Sequence, residues 1–287
     1  VIASLKKEAP FMDENKSTVF KFIELMLYWE GQVNTVSLQR QFGKSRQQNS
    51  SYLNEYLDKN KNNNGLTYSH SSKAYIASSD YTPIFIEDSV DLYFNWLKTG
   101  IVFSKKTSNF IDSLTLPQRK ISNIFVRSLV KAMRENRRIE VDYVSLNNPS
   151  SEGRIIVPHH IVIAGTRSHV RAWCEKSKSF RDFVLGRFKN ATDVLDKSTV
   201  CVADDIGWNT PVDIILKPDP RLSLAKQKVI ENDYQMTDGS LYISTRGCLV
   251  QYLLREMQVS IKVLDGTPEA QQLICVNLPD IRQWLFE

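Results

Sequence analysis

The period of the apolar residues changes near residue 139. Before it, the chain is patterned for helices. Val19-Phe20, Ile23 and Met26-Leu27 recur at helical spacing and stop at Gly31, predicting a first helix. Thr35–Phe42 has the length of the first helix of a helix-turn-helix, with Gly43-Lys44 as its turn. Ser45 then stands as an N-cap with Gln48 three residues on, the pairing of a capping box, and Leu53, Tyr56 and Leu57 supply the buried stripe of a third helix. Leu66-Thr67-Tyr68 and Ala74-Tyr75-Ile76 flank the polar loop His70-Ser71-Ser72-Lys73, which predicts a two-stranded wing. Residues 81–136 follow as a helical linker. One helix carries Val90, Tyr93-Phe94 and Trp96-Leu97. The other runs from Pro117 through Ile121, Phe125, Leu129 and Met133, with Arg127, Lys131 and Arg134 outward.

From 139 the period is two. Ile139, Val141 and Tyr143 alternate with Glu140, Asp142 and Val144; Arg154–Pro158 and His160–Ile163 are two short β-rich runs; Ser168–Cys174 and Phe180–Arg187 make a hairpin across Glu175–Ser179. His169, Arg171 and Trp173 share one face, with Val170, Ala172 and Cys174 turned to a core. On the second strand Arg181, Phe183, Leu185 and Arg187 share a side. Short strands at this spacing predict a small, strongly bent sheet. After about 204 the expectation is a strand at Val212–Leu216, a helix at Pro220–Val229 and a hairpin of Tyr234–Met236 with Leu241–Thr245. A helix at Gly247–Gln258 and a strand at Ser260–Leu264 complete it. The fold class is therefore α+β in four regions: a winged helix-turn-helix (1–80), the linker (81–136), the bent sheet (137–200) and an α+β assembly module (201–287).

Charge sharpens this picture. The net charge is +5, but residues 101–200 hold 18 Lys/Arg against 9 Asp/Glu, while 201–287 hold 8 against 12. A basic middle beside an acidic end points to an anionic partner. Cys174, Cys201, Cys248 and Cys275 stand far apart with no CxxC, which argues against a zinc site or a disulfide frame, and His159-His160 lack a third ligand at coordinating spacing. No run of about 18 apolar residues or signal-peptide pattern is present, so the expectation is a cytoplasmic protein without a membrane partner. GxSxG, a Gly-rich phosphate loop and HExxH are absent from the sequence, which makes an enzyme the weaker alternative, and no cofactor is expected.

Two sets of residues carry candidate chemistry. With Leu53 and Leu57 inward, about 100° per residue places Lys44, Gln47, Gln48 and Ser51 outward. Asn49 and Ser50 lean toward the preceding helix, and Arg46 is in the inward phase but long enough to reach out. Helix N-termini favour phosphate, and Gln and Arg pair with base edges in a major groove. Lys44, Ser45, Arg46, Gln47, Gln48 and Ser51, with Lys73 from the wing, are therefore the candidates for binding duplex DNA. A surface for protein contacts is the competing use of the same helices. On the sheet, Arg171, Arg181 and Arg187, with His169, would offer fork-shaped donors to a phosphate. Tyr143 and Trp173 would stack a base, Ser145 would add a hydroxyl, and Arg167 lies close enough in sequence to join them. Structural ion pairs of Arg181 and Arg187 with Asp142, Asp182 or Asp193 are the alternative.

The ordered series Ile139–Tyr143-Val144-Ser145, Arg154 with Pro158, Ser168–Ala172 and Phe180-Arg181-Asp182-Phe183-Val184-Leu185-Gly186-Arg187 resembles the WYL-domain family of bacterial transcription regulators. Ser168-His169-Val170 replaces the name-giving Trp-Tyr-Leu, while the Phe-Arg-x-Phe-x-Leu-x-Arg strand is intact. The whole layout, with His-Val-Arg-Ala-Trp, is similar to the repressors of anti-phage islands of the BREX and CBASS types. That resemblance implies a homodimer joined by the C-terminal extension and winged helices on an inverted-repeat operator. It also implies a sheet that senses a nucleotide or single-stranded nucleic acid.

Overall fold

The computed structural model describes residues 14–60, 65–102, 121–146, 149–165, 167–261 and 267–285. The chain divides into two compact units, residues 1–154 with 186–195 and residues 155–185 with 196–287.

In the first unit α1 (Glu14–Leu25) continues through one wide π-type turn at Met26–Glu30 and ends at Gly31. β1 (Gln32–Val33), α2 (Thr35–Phe42), α3 (Arg46–Lys59), β2 (Leu66–Ser69) and β3 (Ala74–Ala77) follow. The wing is thus not two-stranded: β1 pairs with β3, giving the order β1-β3-β2. A two-residue strand has no alternation to reveal it. Phe20, Phe22, Ile23, Leu25 and Leu27 of the first helix are all fully or almost fully buried, as are Leu38 and Tyr56; Leu57, placed in the buried stripe by its spacing, is only half-buried. Gly43 closes α2 in the left-handed region (φ 65°), and its N–H reaches the Gln39 carbonyl at 2.9 Å, which makes the sharp turn into α3.

The fold also buries a charge. The Glu24 carboxylate, 0% exposed, accepts the backbone N–H groups of Ile84 (2.8 Å), Phe85 and Ile86 (3.0 Å) and the Tyr56 hydroxyl (3.1 Å). It thereby fixes the loop leaving the wing. Burial raises its pKa to about 6 against those donors.

α4 (Val90–Thr99) leads on, and α5 (Asn123–Glu135) is capped by Ser122. Residues 103–120, including the expected helix start at Pro117, lie outside the described residues; Ile121 precedes the helix. Arg127 is not on an outer surface. It donates to the carbonyls of Leu27 (2.7 Å), Tyr28 (2.9 Å) and Ala77 (3.0 Å), and Arg134 reaches Glu30, which also accepts from Tyr93. Asn136, left-handed at φ 50°, is the single residue between α5 and β4 (Arg137–Tyr143).

The remaining strands of the middle region are β5 (Glu152–Ala164), β6 (Arg167–Cys174), β7 (Ser179–Val184) and β8 (Phe188–Lys197). β5 is one strand rather than two, with a register shift between Pro158 and His160. In the first unit β8 lies beside β4, and Phe188 stacks on Phe125 with ring centroids 4.5 Å apart.

In the second unit β6 lies between β5 and β7, antiparallel to both. Val170, Ala172 and Cys174 are fully buried, as the alternation requires. The chain goes on through α6 (Ile206–Asn209), β9 (Pro211–Pro218), α7 (Leu224–Asp233), β10 (Leu241–Arg246), α8 (Val250–Glu256), α9 (Pro268–Gln271), β11 (Leu273–Cys275) and α10 (Leu278–Ile281). The helix expected at Pro220–Val229 starts four residues later, because Ser223 is its cap. The expected hairpin is absent: Tyr234–Met236 is not a strand, and β10 pairs instead with β9 in the order β10-β9-β11. Ser260 and Ile261 are not in a strand, and the rest of that expected strand, residues 262–264, lies outside the described residues. Ile214, Leu216, Val250, Leu254 and Leu273 form the centre of this core. Among the described residues no helix is long and apolar enough to cross a membrane.

Candidate nucleic-acid interface and effector cavity

α3 divides its polar residues between folding and display. The Ser45 hydroxyl accepts the Gln48 N–H, and the Gln48 side chain accepts the Ser45 N–H, each at 3.3 Å. Such a cap is worth about 1 kcal/mol. Asn49 is buried and donates to the Lys44 carbonyl at 2.9 Å, tying the turn to the helix. Lys44 leans on Tyr52, its ammonium 3.1 Å from the hydroxyl and 4.6 Å from the ring centre. Arg46, Gln47 and Ser51 are exposed. Arg46, in the inward phase but at the first helical turn, reaches out to solvent as its length allows. Gln47, Ser50, Ser51 and Asn54 line a shallow groove that ends in Glu55 and Asp58. Glu55 is paired there with Lys16 and Lys59, and the stretch of α3 that is polar and without acids is its first two turns. Lys73 is exposed at the wing tip in the left-handed region (φ 50°).

Arg171 and Arg181, expected together on the sheet, do not share a face. In the β6–β7 register Arg171 faces Asp182, Trp173 faces Phe180 and Ala172 faces Arg181. Paired residues share a face, so Arg181 is on the side opposite Arg171; it is exposed and donates to Ser179 Oγ. Arg187 is beyond the end of β7, in a 3-10 turn. Tyr143 is buried, in edge contact with Phe188 and with the Arg154 guanidinium over its ring, so it is not a stacking platform. Ser145 is half-buried, Arg167 is exposed at the start of β6, and His169 is buried against Tyr252.

Arg171 is held by carboxylates. Its Nε and Nη2 donate to Asp205 at 2.7 and 3.0 Å, and Nη1 donates to Asp182 at 3.2 Å. Asp205, 1% exposed, also caps α6 through the Trp208 N–H and lies 3.1 Å from His159 Nε2; Asp182 accepts from the Tyr252 hydroxyl. Burial works against every charge here. It raises the Asp182 pKa, while at Asp205 the bonds from Arg171 overcome it and hold the carboxylate below its usual range. Burial and the neighbouring His160 push the His159 pKa down to about 4, so His159 is neutral, and its Nδ1 shares one proton with His160 Nδ1 across 2.7 Å. His160 stacks on Trp208 at 4.0 Å. Among the described residues no cluster of metal-ligating side chains forms, and the two histidines are network members.

Beside this network lies a cavity of about 540 Å³, walled by Trp173, Phe180 and Trp284, with Arg171, Asp204 and Asp205 at its polar end. Three family models match successive parts of the chain. A BrxR transcriptional regulator winged helix-turn-helix domain matches residues 15–99, a WYL domain 125–193 and a BrxR C-terminal dimerization domain 211–281. The DNA-binding transcriptional repressor CapW of Escherichia coli is 33% identical over 91% of this chain and 89% of its own. That of Pseudomonas aeruginosa has the same identity and coverage, and that of Stenotrophomonas maltophilia is 29% identical over 93% and 91%. The chain belongs to the BrxR/CapW family.

Among solved structures, proteasome accessory factor B/C of Arthrobacter aurescens matches with a TM-score of 0.24 at 12% identity, over 99% of this chain and 50% of that one. Of the residues lining this cavity, Arg171 and Trp173 are among the candidates read from the sequence, whereas Asp205 and Trp284 are not. Asp205 had one local signal, an acidic cap ahead of Ile206-Gly207-Trp208. Trp284 had none, since only tertiary packing brings it against Gly247.

Proposed function

We propose that this protein is a homodimeric transcription repressor of a phage-defence operon, acting in the cytoplasm. Two winged domains bind inverted half-sites of a duplex operator through Arg46, Gln47 and Ser51, with Ser45 and Gln48 orienting the helix and Lys44 and Lys73 at phosphates. The observation that carries this reading is the first half of α3: exposed, polar and unacidic, on a helix whose cap is already satisfied, in a family whose relatives are named DNA-binding repressors. An effector in the aromatic-walled cavity would regulate it. Because Arg171 is already neutralised, the cavity favours a flat base between Trp173, Phe180 and Trp284 over a bare phosphate. A nucleotide or a single-stranded nucleic acid meets that requirement. Release follows only if the effector prefers the DNA-free dimer.

The test begins by recovering the DNA fragments that the purified protein binds. On such an operator, Gln47→Ala is expected to lose about 1–3 kcal/mol of affinity and to relax base preference at one position. Raising salt from about 50 to 200 mM should weaken binding on the order of 10³-fold, as phosphate contacts release counterions. Unchanged binding by Gln47→Ala would remove α3 as the reading surface. A flat salt response would favour a protein-contact module.

A further inference from the structure

The sheet of the C-terminal region has one face in the core and one that, among the described residues, carries the exposed side chains of Asp213, Lys217 and Tyr242. Val212, Ile214 and Leu216 of β9 point inward, so Asp213, Ile215 and Lys217 point out. The register places Tyr242 of β10 beside Ile215, and the Val276 N–H bonds the Ile215 carbonyl at 2.9 Å from the other side. Tyr242 and Ile215, with Val276 in the turn just after β11, therefore form one apolar row. Tyr242 is 65% exposed and Val276 42%, both large for such side chains at an ordered sheet. Asp213 and Lys217 are exposed two residues to either side of Ile215, and neither forms a salt bridge among the described residues.

We infer that this face is the self-association surface, packing on the same face of a second copy about a two-fold axis that runs along the Tyr242–Ile215–Val276 row. The inference rests on the homodimer reading above and says which surface serves it. Its argument is charge complementarity. A two-fold axis along the row lays each of its residues on its own copy and reverses the strand direction, so Asp213 meets Lys217 of the other chain, and Lys217 meets Asp213. The patch is thus self-complementary, as an isologous interface must be. The alternative apolar surface, the outer side of α7 with Leu224 and Val229, has Lys226 and Lys228 beside it, each already bonded to an acid of its own chain (Glu269 and Glu231).

Sedimentation of the full chain at micromolar concentration tests this, with circular dichroism to confirm folding. Wild type is expected to be a dimer, and Ile215→Asp a monomer. Asp213→Lys, a change at an exposed position that leaves the core untouched, should raise the dimer dissociation constant at least tenfold by setting like charges together. The double variant Asp213→Lys/Lys217→Asp should restore it. A wild-type dimer that persists in Ile215→Asp and Asp213→Lys, or that is broken by Val229→Asp instead, overturns the choice of face and leaves the homodimer standing. Failure of the double variant to recover overturns the two-fold arrangement. A monomeric wild type overturns the homodimer reading itself.

Discussion

Arg171→Ala is expected to cost about 3–5 kcal/mol of stability, seen as a large drop in the urea midpoint. The reason lies in what the substitution leaves behind. Asp205 is 1% exposed and would lose both arginine bonds, and Asp182 would keep only Tyr252 as a hydrogen-bond donor. Asp205→Asn retains a cap for α6 and removes one of the stranded charges, so Arg171→Ala/Asp205→Asn should lose less than the sum of the two single changes. A strictly additive result would show that the three groups do not act as a unit. This bears on how the proposed sensing is assayed. Loss of effector response in an Arg171 variant reports a damaged fold before it reports a lost ligand contact. Trp173→Ala, at the cavity wall, is the cleaner probe.

Glu24→Ala is expected to destabilise the winged region by about 3 kcal/mol, because it leaves the buried N–H groups of Ile84, Phe85 and Ile86 without their acceptor. Titration gives an opposite pH response in the two units. The folded pKa of Glu24, about 6, is above its ordinary 4.5, so the native state binds more protons in that window and loses about 2 kcal/mol as pH rises from 4.5 to 6. His159, with a folded pKa of about 4 against 6.5, binds fewer protons when native, so its contribution is present above 6.5 and is lost as pH falls. Hydrogen exchange, corrected for intrinsic rates, should show peptides around 20–27 and 84–86 gaining protection from pH 6.5 to 4.5, while peptides around 156–174 lose it. Parallel responses in both sets would contradict this assignment.

What the sequence made legible follows from the range of the physics. The capping box at Ser45 and Gln48, the turn at Gly43 and the inward alternation of Val170, Ala172 and Cys174 are local, and each appears as expected. Alternation also placed Arg171 correctly. It failed for Arg181, because which residues of β7 face Arg171 depends on the hairpin register, and the five-residue polar loop did not fix that register. Asp205 is 34 positions from Arg171 and the backbone donors to Glu24 are about 60 from it, while Asp182, 11 positions from Arg171, faces it only through the hairpin register. Charges at such separations cannot be paired from one sequence, so Arg171 read as a free cation when it was already spoken for.

The division of labour within α3 has a consequence for how such a protein diversifies. Ser45, Gln48, Asn49, Leu53 and Tyr56 are committed to shape, whereas Arg46, Gln47 and Ser51 are exposed and make no hydrogen bond or ion pair among the described residues. Substitutions at such solvent-facing positions typically change stability by no more than about 0.5 kcal/mol. On the proposed reading of α3, the address that these residues recognise can therefore drift, or be rewritten by design, while the scaffold that presents it stays as it is.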